Sequence, residues 1–298
     1  MWKRLLDDIE AGSAKALARA LSLVENEQEG WLDFLQALPA GNAQVVGITG
    51  PPGAGKSTLS DALIGAWVHQ GKKVGVLCID PSSPFNFGAI LGDRIRMNQW
   101  YNHPSVFIRS LASRGSLGGL NQMILELTAV MQAAGFDYIL IETIGIGQSE
   151  VEIAGLADTT VLVLVPEAGD EIQTMKAGVM EIADIFVINK SDRPDADRFM
   201  HSLQMMMAPV FSRQQKDIPI IKTIAEKKEG IEDLRVAIEN DKQQFHSEDR
   251  KLWLLTQRAM QIIQRKKMKE IDPVRIKEAI QQQLAAGNFN LFKLASKY

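Results

Sequence analysis

The chain has 298 residues, roughly two domains' worth at ~150 residues per domain, enough to bury a core without disulfide or metal staples. Hydrophobic residues make up 46% and charged residues 23%, values of an ordinary globular protein that exclude wholesale disorder and collagen-like repeats. With 33 Lys+Arg against 36 Asp+Glu the formal charge is -3, which gives no global electrostatic case for a nucleic-acid or membrane partner. The one cysteine, Cys78, excludes an internal disulfide and the paired thiolates of a structural zinc site.

Met1 to Glu10 mixes Lys3 and Arg4 with Asp7, Asp8 and Glu10, a pattern unlike a signal peptide. The longest apolar stretches, such as Thr159 to Pro166, fall far short of the ~20 residues that span a bilayer. The expectation is a cytoplasmic protein. Residues 1–40 carry apolar positions at helical spacing (Leu5, Ile9, Ala16, Leu17, Ala20, Leu21, Val24) and predict an N-terminal helical extension.

From Gln44 the pattern changes. Seven β-rich runs alternate with helical ones: Gln44 to Thr49, Lys73 to Ile79, Ser105 to Ile108, Tyr138 to Glu142, Thr159 to Val165, Ile185 to Asn189 and Ile218 to Lys222. Near-continuous Val/Ile/Leu runs alternating with helices predict an α/β fold with a mostly parallel sheet covered on both faces, over residues 41–240. Residues 241–298 return to helical spacing (Leu252, Leu255, Ala259, Ile262, Ile263) with an excess of basic residues. A solvated helical face explains that tail better than an acidic partner does.

Directly after the first strand stands Gly50-Pro51-Pro52-Gly53-Ala54-Gly55-Lys56-Ser57-Thr58, a full match to the phosphate-loop pattern in the required strand-loop-helix setting. Gly53, Ala54 and Gly55 let successive N–H groups face phosphates, and the helix expected from Ser57 to Gln70 points its positive end at them. Lys56 would neutralise phosphate charge, and the Ser57 hydroxyl would complete a Mg²⁺ shell.

After the strand ending near Ile188 come Asn189-Lys190-Ser191-Asp192. The aspartate of such a motif accepts two hydrogen bonds from the N1–H and N2 amine of guanine, a pair adenine lacks, so GTP is favoured over ATP. Thr223-Ile224-Ala225 is placed to offer a backbone N–H to the guanine carbonyl. Three acids end strands or follow them beside the phosphate loop: Asp80, Asp93 and Glu142 are candidates for holding Mg²⁺ or its water shell, with helix-cap and turn roles as the rival reading. Glu142-Thr143-Ile144-Gly145 occupies the place where many GTPases have Asp-x-x-Gly, whose glycine N–H senses the γ-phosphate. The next residue, Ile146, cannot orient a water, so unaided hydrolysis of GTP to GDP and phosphate should be slow.

Together these segments resemble the GTPases associated with adenosylcobalamin-dependent acyl-CoA mutases, once labelled arginine or basic-amino-acid transport ATPases. The resemblance rests on residues 50–58, Asp-Pro-Ser-Ser-Pro at 80–84, Gly-Ala-Ile-Leu-Gly-Asp-Arg-Ile-Arg-Met at 88–97, Arg109-Ser110 with Arg114 to Gly119, residues 142–150 and residues 178–192. It implies a SIMIBI-class P-loop fold, usually a homodimer, that binds GTP and Mg²⁺ and serves such a mutase by cofactor loading and protection from inactivation. By position it makes Lys56 and Ser57 phosphate and metal ligands, Asp80, Asp93 and Glu142 the metal-side acids, and Asn189 and Asp192 guanine readers. It also makes Gly169 to Lys176 a segment that communicates with the mutase.

Two rivals stay open. A nickel or cobalt metallochaperone GTPase would need clustered soft or imidazole ligands, whereas Cys78 stands alone and His69, His103, His201 and His246 are scattered. A small-molecule kinase of the P-loop class would more often prefer ATP and transfer phosphate to an acceptor other than water. The short cluster Met205 to Met207 reads as helix core rather than a protein-targeting module.

Overall fold

The computed structural model describes residues 1–80, 97–112, 120–143, 149–168, 183–214, 218–244 and 248–298. Two compact units divide the chain, Met1–Ser247 and Glu248–Tyr298.

The first unit opens with three helices, α1 (Trp2–Glu10), α2 (Ala14–Glu25) and α3 (Trp31–Gln36). Ser13 caps α2 by accepting from the Ala16 N–H, and the apolar stripe read from the sequence, Ala16, Leu17, Ala20, Leu21 and Val24, is its buried face. Then strands and helices alternate: β1 (Gln44–Thr49), α4 (Lys56–His69), β2 (Val74–Asp80), β3 (Val106–Ala112), α5 (Ile124–Ala133), β4 (Tyr138–Glu142), α6 (Ser149–Leu156), β5 (Thr159–Leu164), β6 (Ile185–Ile188), α7 (Ala196–Gln214), β7 (Ile220–Lys222) and α8 (Ile231–Gln244). The strands form one sheet in the order β3-β2-β4-β1-β5-β6-β7, and every pairing among them is parallel.

Alternate residues of each strand feed different cores. Val45, Leu77, Ile139 and Ile141 pack with α2, α5 and α6 on one face, whereas Val46, Ile48, Val76 and Leu140 pack with α4 and α8 on the other. Further along the sheet Leu162, Leu164, Phe186 and Ile188 pack with α7. Burial on both faces explains why the strands read as continuous apolar runs. Strand β1 lies between β4 and β5, where the winding of the chain reverses, so loops at its carboxyl end open into the crevice in which such sheets bind ligands.

Two strands depart from the sequence expectation by more than one residue. β3 runs to Ala112 rather than stopping at Ile108, because the Arg109 side chain that interrupts the apolar run is taken up by Ser22 and Glu25 of α2. β7 starts at Ile220, one residue after Pro219, which has no N–H to give a ladder. The methionine cluster is split: Met207 is buried, while Met205 and Met206 are exposed.

The second unit consists of α9 (Glu248–Lys269), α10 (Pro273–Ala285) and α11 (Leu291–Ala295). Asp272 and Asn290 cap α10 and α11 through side-chain bonds to the Val274 and Lys293 N–H groups. Its own packing leaves Leu252, Trp253, Ile263, Val274 and Phe292 uncovered. No helix among the described residues is long and apolar enough to cross a membrane.

Candidate functional site

The phosphate-loop residues bridge β1 and α4. Gly55, at φ 88°, forms the N-cap of α4, and a Cβ there would meet the Asn189 Nδ2 at 2.4 Å, so both backbone conformation and space demand glycine. Lys56 is buried, and its ammonium donates to the carbonyls of Gly50 at 2.9 Å and Pro51 at 3.1 Å. Ionic groups out of water need such partners, and here the loop that would bind phosphates supplies them. Thr58 lies one residue after Ser57, on the first turn of the same helix.

Glu142 ends β4 beside β1, opposite Ile48 on one side and Cys78 of β2 on the other. Its carboxylate is buried and accepts from the Ser57 hydroxyl at 2.5 Å and the Ser60 hydroxyl at 2.9 Å. Ser57 and Ser60 are three apart on α4 and therefore share a face. Next to them, the Thr143 hydroxyl donates to that of Thr49 at 2.9 Å. Ser60 was not singled out by the motif, although its spacing from Ser57 was visible.

Asp80 ends β2, the strand beside β4, in register with Ala112 of β3. Asp93, Gly145 and Ile146 lie outside the described residues, as do Asp170, Gln173 and Lys176. Among the described residues no group of three or more His, Cys, Asp and Glu side chains could hold a metal ion.

On the other side of the phosphate loop, Asn189 joins three segments. Its buried amide donates to the Ala54 carbonyl at 2.9 Å and accepts from the Thr223 hydroxyl at 3.1 Å and the Ala225 N–H at 3.2 Å. Lys190, held at φ 56°, donates from Nζ to the Gly53 carbonyl at 2.8 Å. Two extended reaches thus tie the loop after β6 to the phosphate loop. A cavity of about 130 Å³ opens there, lined by Gly55, Thr58, Lys190, Asp192, Ile224 and Ala225 among others. Asp192 stands half-exposed on its rim, 3.7 Å from the Lys227 ammonium, and Arg193, also on the rim, pairs with Glu167.

In the segment expected to present an N–H to a base, the Thr223, Ile224 and Ala225 N–H groups donate to Ile188 O, Glu229 O and Asn189 Oδ1. Asn189 draws the segment inward because its amide oxygen has two lone pairs to satisfy in a buried site. Arg193, Ile224 and Glu226 also line the cavity; nothing in the four-residue motif pointed to them.

A cavity that joins a phosphate loop to an Asn-Lys-x-Asp loop is the arrangement of a guanine-nucleotide site. A family model described as "Methylmalonyl Co-A mutase-associated GTPase MeaB" matches residues 17–279. The chain belongs to this family. Its similarity to a protein of Pyrococcus abyssi (strain GE5 / Orsay) named as a GTPase is 48% identity over 240 residues, 78% of this chain and 74% of that one. The "Methylmalonic aciduria type A homolog, mitochondrial" of Caenorhabditis briggsae is 36% identical over 235 residues, 72% of this chain and 57% of that protein. A crystal structure described as a LAO/AO transport system kinase superposes with a TM-score of 0.70 at 26% identity, covering 99% of this chain and 95% of that one. The MeaB-type chain is a P-loop GTPase, and guanine nucleotide is its ligand.

Proposed function

We propose that this MeaB-type GTPase assists an adenosylcobalamin-dependent acyl-CoA mutase, coupling its nucleotide state to loading or retention of the mutase cofactor. The observation that carries the reading is the family match over residues 17–279, whose description names the mutase association, on a chain whose guanine-side cavity and phosphate loop share one crevice.

Each residue near the crevice has a chemical task in this reading. Asp192 accepts from the N1–H and N2 amine of guanine. Asn189 spends one of its two amide protons on Ala54 and directs the other toward a base acceptor, while fixing the loops that frame the cavity. Lys56 exchanges the carbonyls of Gly50 and Pro51 for phosphate oxygens, a charge-assisted replacement in a water-poor site. The N-terminal N–H groups of α4 face the same phosphates.

The oxygen donors beside the loop fit Mg²⁺, a hard cation that takes carboxylates and hydroxyls. Ser57 and Glu142 would hold it, directly or through water, together with Asp80 and Asp93. Bound there, the ion neutralises phosphate charge and orients the terminal phosphoryl group. Gly145 would sense the γ-phosphate through its N–H. With isoleucine at 146, no side chain of that position orders water, so the chain alone hydrolyses GTP slowly and a docked partner accelerates it.

The experiment is GTP turnover with and without an adenosylcobalamin-dependent mutase from the same organism. Stimulation by the mutase, lost with Asp170→Ala, Gln173→Ala or Lys176→Ala while basal turnover persists, is the expected outcome. If mutase affinity depends on nucleotide state, nucleotide affinity shifts with mutase by the same factor. No binding to any such mutase, with nickel or cobalt bound instead, would favour the metallochaperone reading.

A further inference from the structure

We propose that Ser60 is a positioning residue for Mg²⁺ at the nucleotide site, acting through Glu142 on the hydroxyl of Ser57; the inference rests on the reading of Ser57 and Glu142 as the metal-side groups of a GTPase. Ser57 and Ser60 lie three residues apart on α4, a rise of about 4.5 Å along the helix. Both hydroxyls donate to one carboxylate, Ser57 to Oε1 of Glu142 at 2.5 Å and Ser60 to Oε2 at 2.9 Å. Ser60 is fully buried, and Glu142 nearly so. With no exposed surface, Ser60 reaches a ligand only through the carboxylate.

A serine hydroxyl has one proton to donate and two lone pairs with which to accept. Inside a helix that proton commonly goes to the carbonyl four residues back, which for Ser60 is that of Lys56, but here it goes to Glu142. The bond fixes one end of the carboxylate. The other oxygen then stands as a fixed acceptor for the Ser57 proton, and the direction of that proton decides where the Ser57 lone pairs face. With the proton committed to Glu142, both lone pairs remain for a cation. Pairing of β4 with β1 and β2 holds the Glu142 backbone in place, so loss of the Ser60 hydroxyl frees the side-chain torsion nearest the carboxylate, which is broad for glutamate. Ser57 would then follow a turning acceptor. The guanine-side cavity is lined by Gly55, Thr58, Asn189, Asp192 and Ala225 among others, and Ser60 does not line it. An effect of Ser60 therefore falls on the metal side of the crevice and spares the base.

The test titrates Mg²⁺ into the full chain saturated with GDP, and separately measures GDP affinity without Mg²⁺. Ser60→Ala removes one oxygen and leaves a better helix former. It should weaken Mg²⁺ binding on the order of tenfold, as the loss of a bond that orients a metal ligand does, and leave GDP affinity without Mg²⁺ unchanged. Ser60→Cys, a weaker donor of similar size, should fall between alanine and wild type, and serves where the alanine variant fails to fold. In a Glu142→Ala background the further change Ser60→Ala should shift Mg²⁺ affinity by less than about twofold, because the bond through which Ser60 acts is already gone. A residue that only supported the fold would lower GDP affinity with and without the metal, in either background. Wild-type Mg²⁺ affinity in Ser60→Ala, or in Ser60→Cys should the alanine variant not fold, would overturn the proposal. So would an undiminished loss in the Glu142→Ala background, or a loss of GDP affinity without Mg²⁺. A wild-type chain that binds GDP but takes up no Mg²⁺ would overturn the metal reading on which the proposal stands.

Discussion

Asp192 and Asn189 stand three residues apart in one motif yet sit in different surroundings. Asp192 is on the cavity rim with a carboxylate open to a ligand, whereas Asn189 is buried and binds protein on three sides. Asp192→Asn should weaken GTP binding and improve binding of xanthosine triphosphate, whose 2-oxo group wants a donor; competition between the two nucleotides measures the switch. Asn189→Ala should cost about 2–3 kcal/mol in stability by leaving buried partners unsatisfied, seen as a lower urea midpoint with an unchanged slope. Spacing along the chain singled out both residues as candidates but could not show that Asn189 also ties the phosphate loop to the loops after β6 and β7, because its partners lie 135 and 34 residues away.

Among the elements, α4 does most to organise the site. One turn offers Lys56 and Ser57 to the crevice, Ser60 reaches Glu142, and Asp61 holds Gln99 and Trp100 on another face. At the opposite end of the sheet, β4 begins with Tyr138, stacked on Trp67 of α4 at 4.3 Å and donating to Glu239 of α8 at 3.2 Å. Burial first, then the Glu239 charge and its hydrogen bond, push the Tyr138 phenol well above its ordinary value of 10.0. A phenol raised in the folded state keeps its proton while the unfolded chain loses its own, so its stabilising effect is complete below pH 10 and declines as pH rises further. Alkaline denaturation of Tyr138→Phe should accordingly show a shallower loss of stability above pH 10 than the wild type. The apolar runs announced the strands, but this polar cluster was invisible in them: Tyr138 and Glu239 meet only when α8 packs beside α4.

At the scale of the molecule, every described residue assigned to the nucleotide site lies within Met1–Ser247. A chain ending at Ser247 should therefore bind GDP as tightly as the full one, measured by titration. The packing of the second unit leaves large apolar side chains exposed, Leu252, Trp253, Ile263 and Phe292 among them, and an extensive apolar surface of that kind marks an interaction site. Our reading of the chain as a homodimer predicts that the full protein sediments as a dimer and the truncated one as a monomer.

Local chemistry by itself determined the α/β class, the number and approximate place of the strands, the phosphate loop and the guanine motif. Strand burial repeats within a few residues, and a nucleotide loop needs its glycines, lysine and serine in adjacent positions, so both leave a short-range record. Tertiary structure alone decided the strand order, the pairing of Glu142 with two serines of α4, the inward turn of residues 223–225, and the clamp of Asp61 on Trp100. Those features depend on which distant segments share a crevice, and a parallel sheet brings them together through crossovers whose order no single segment encodes.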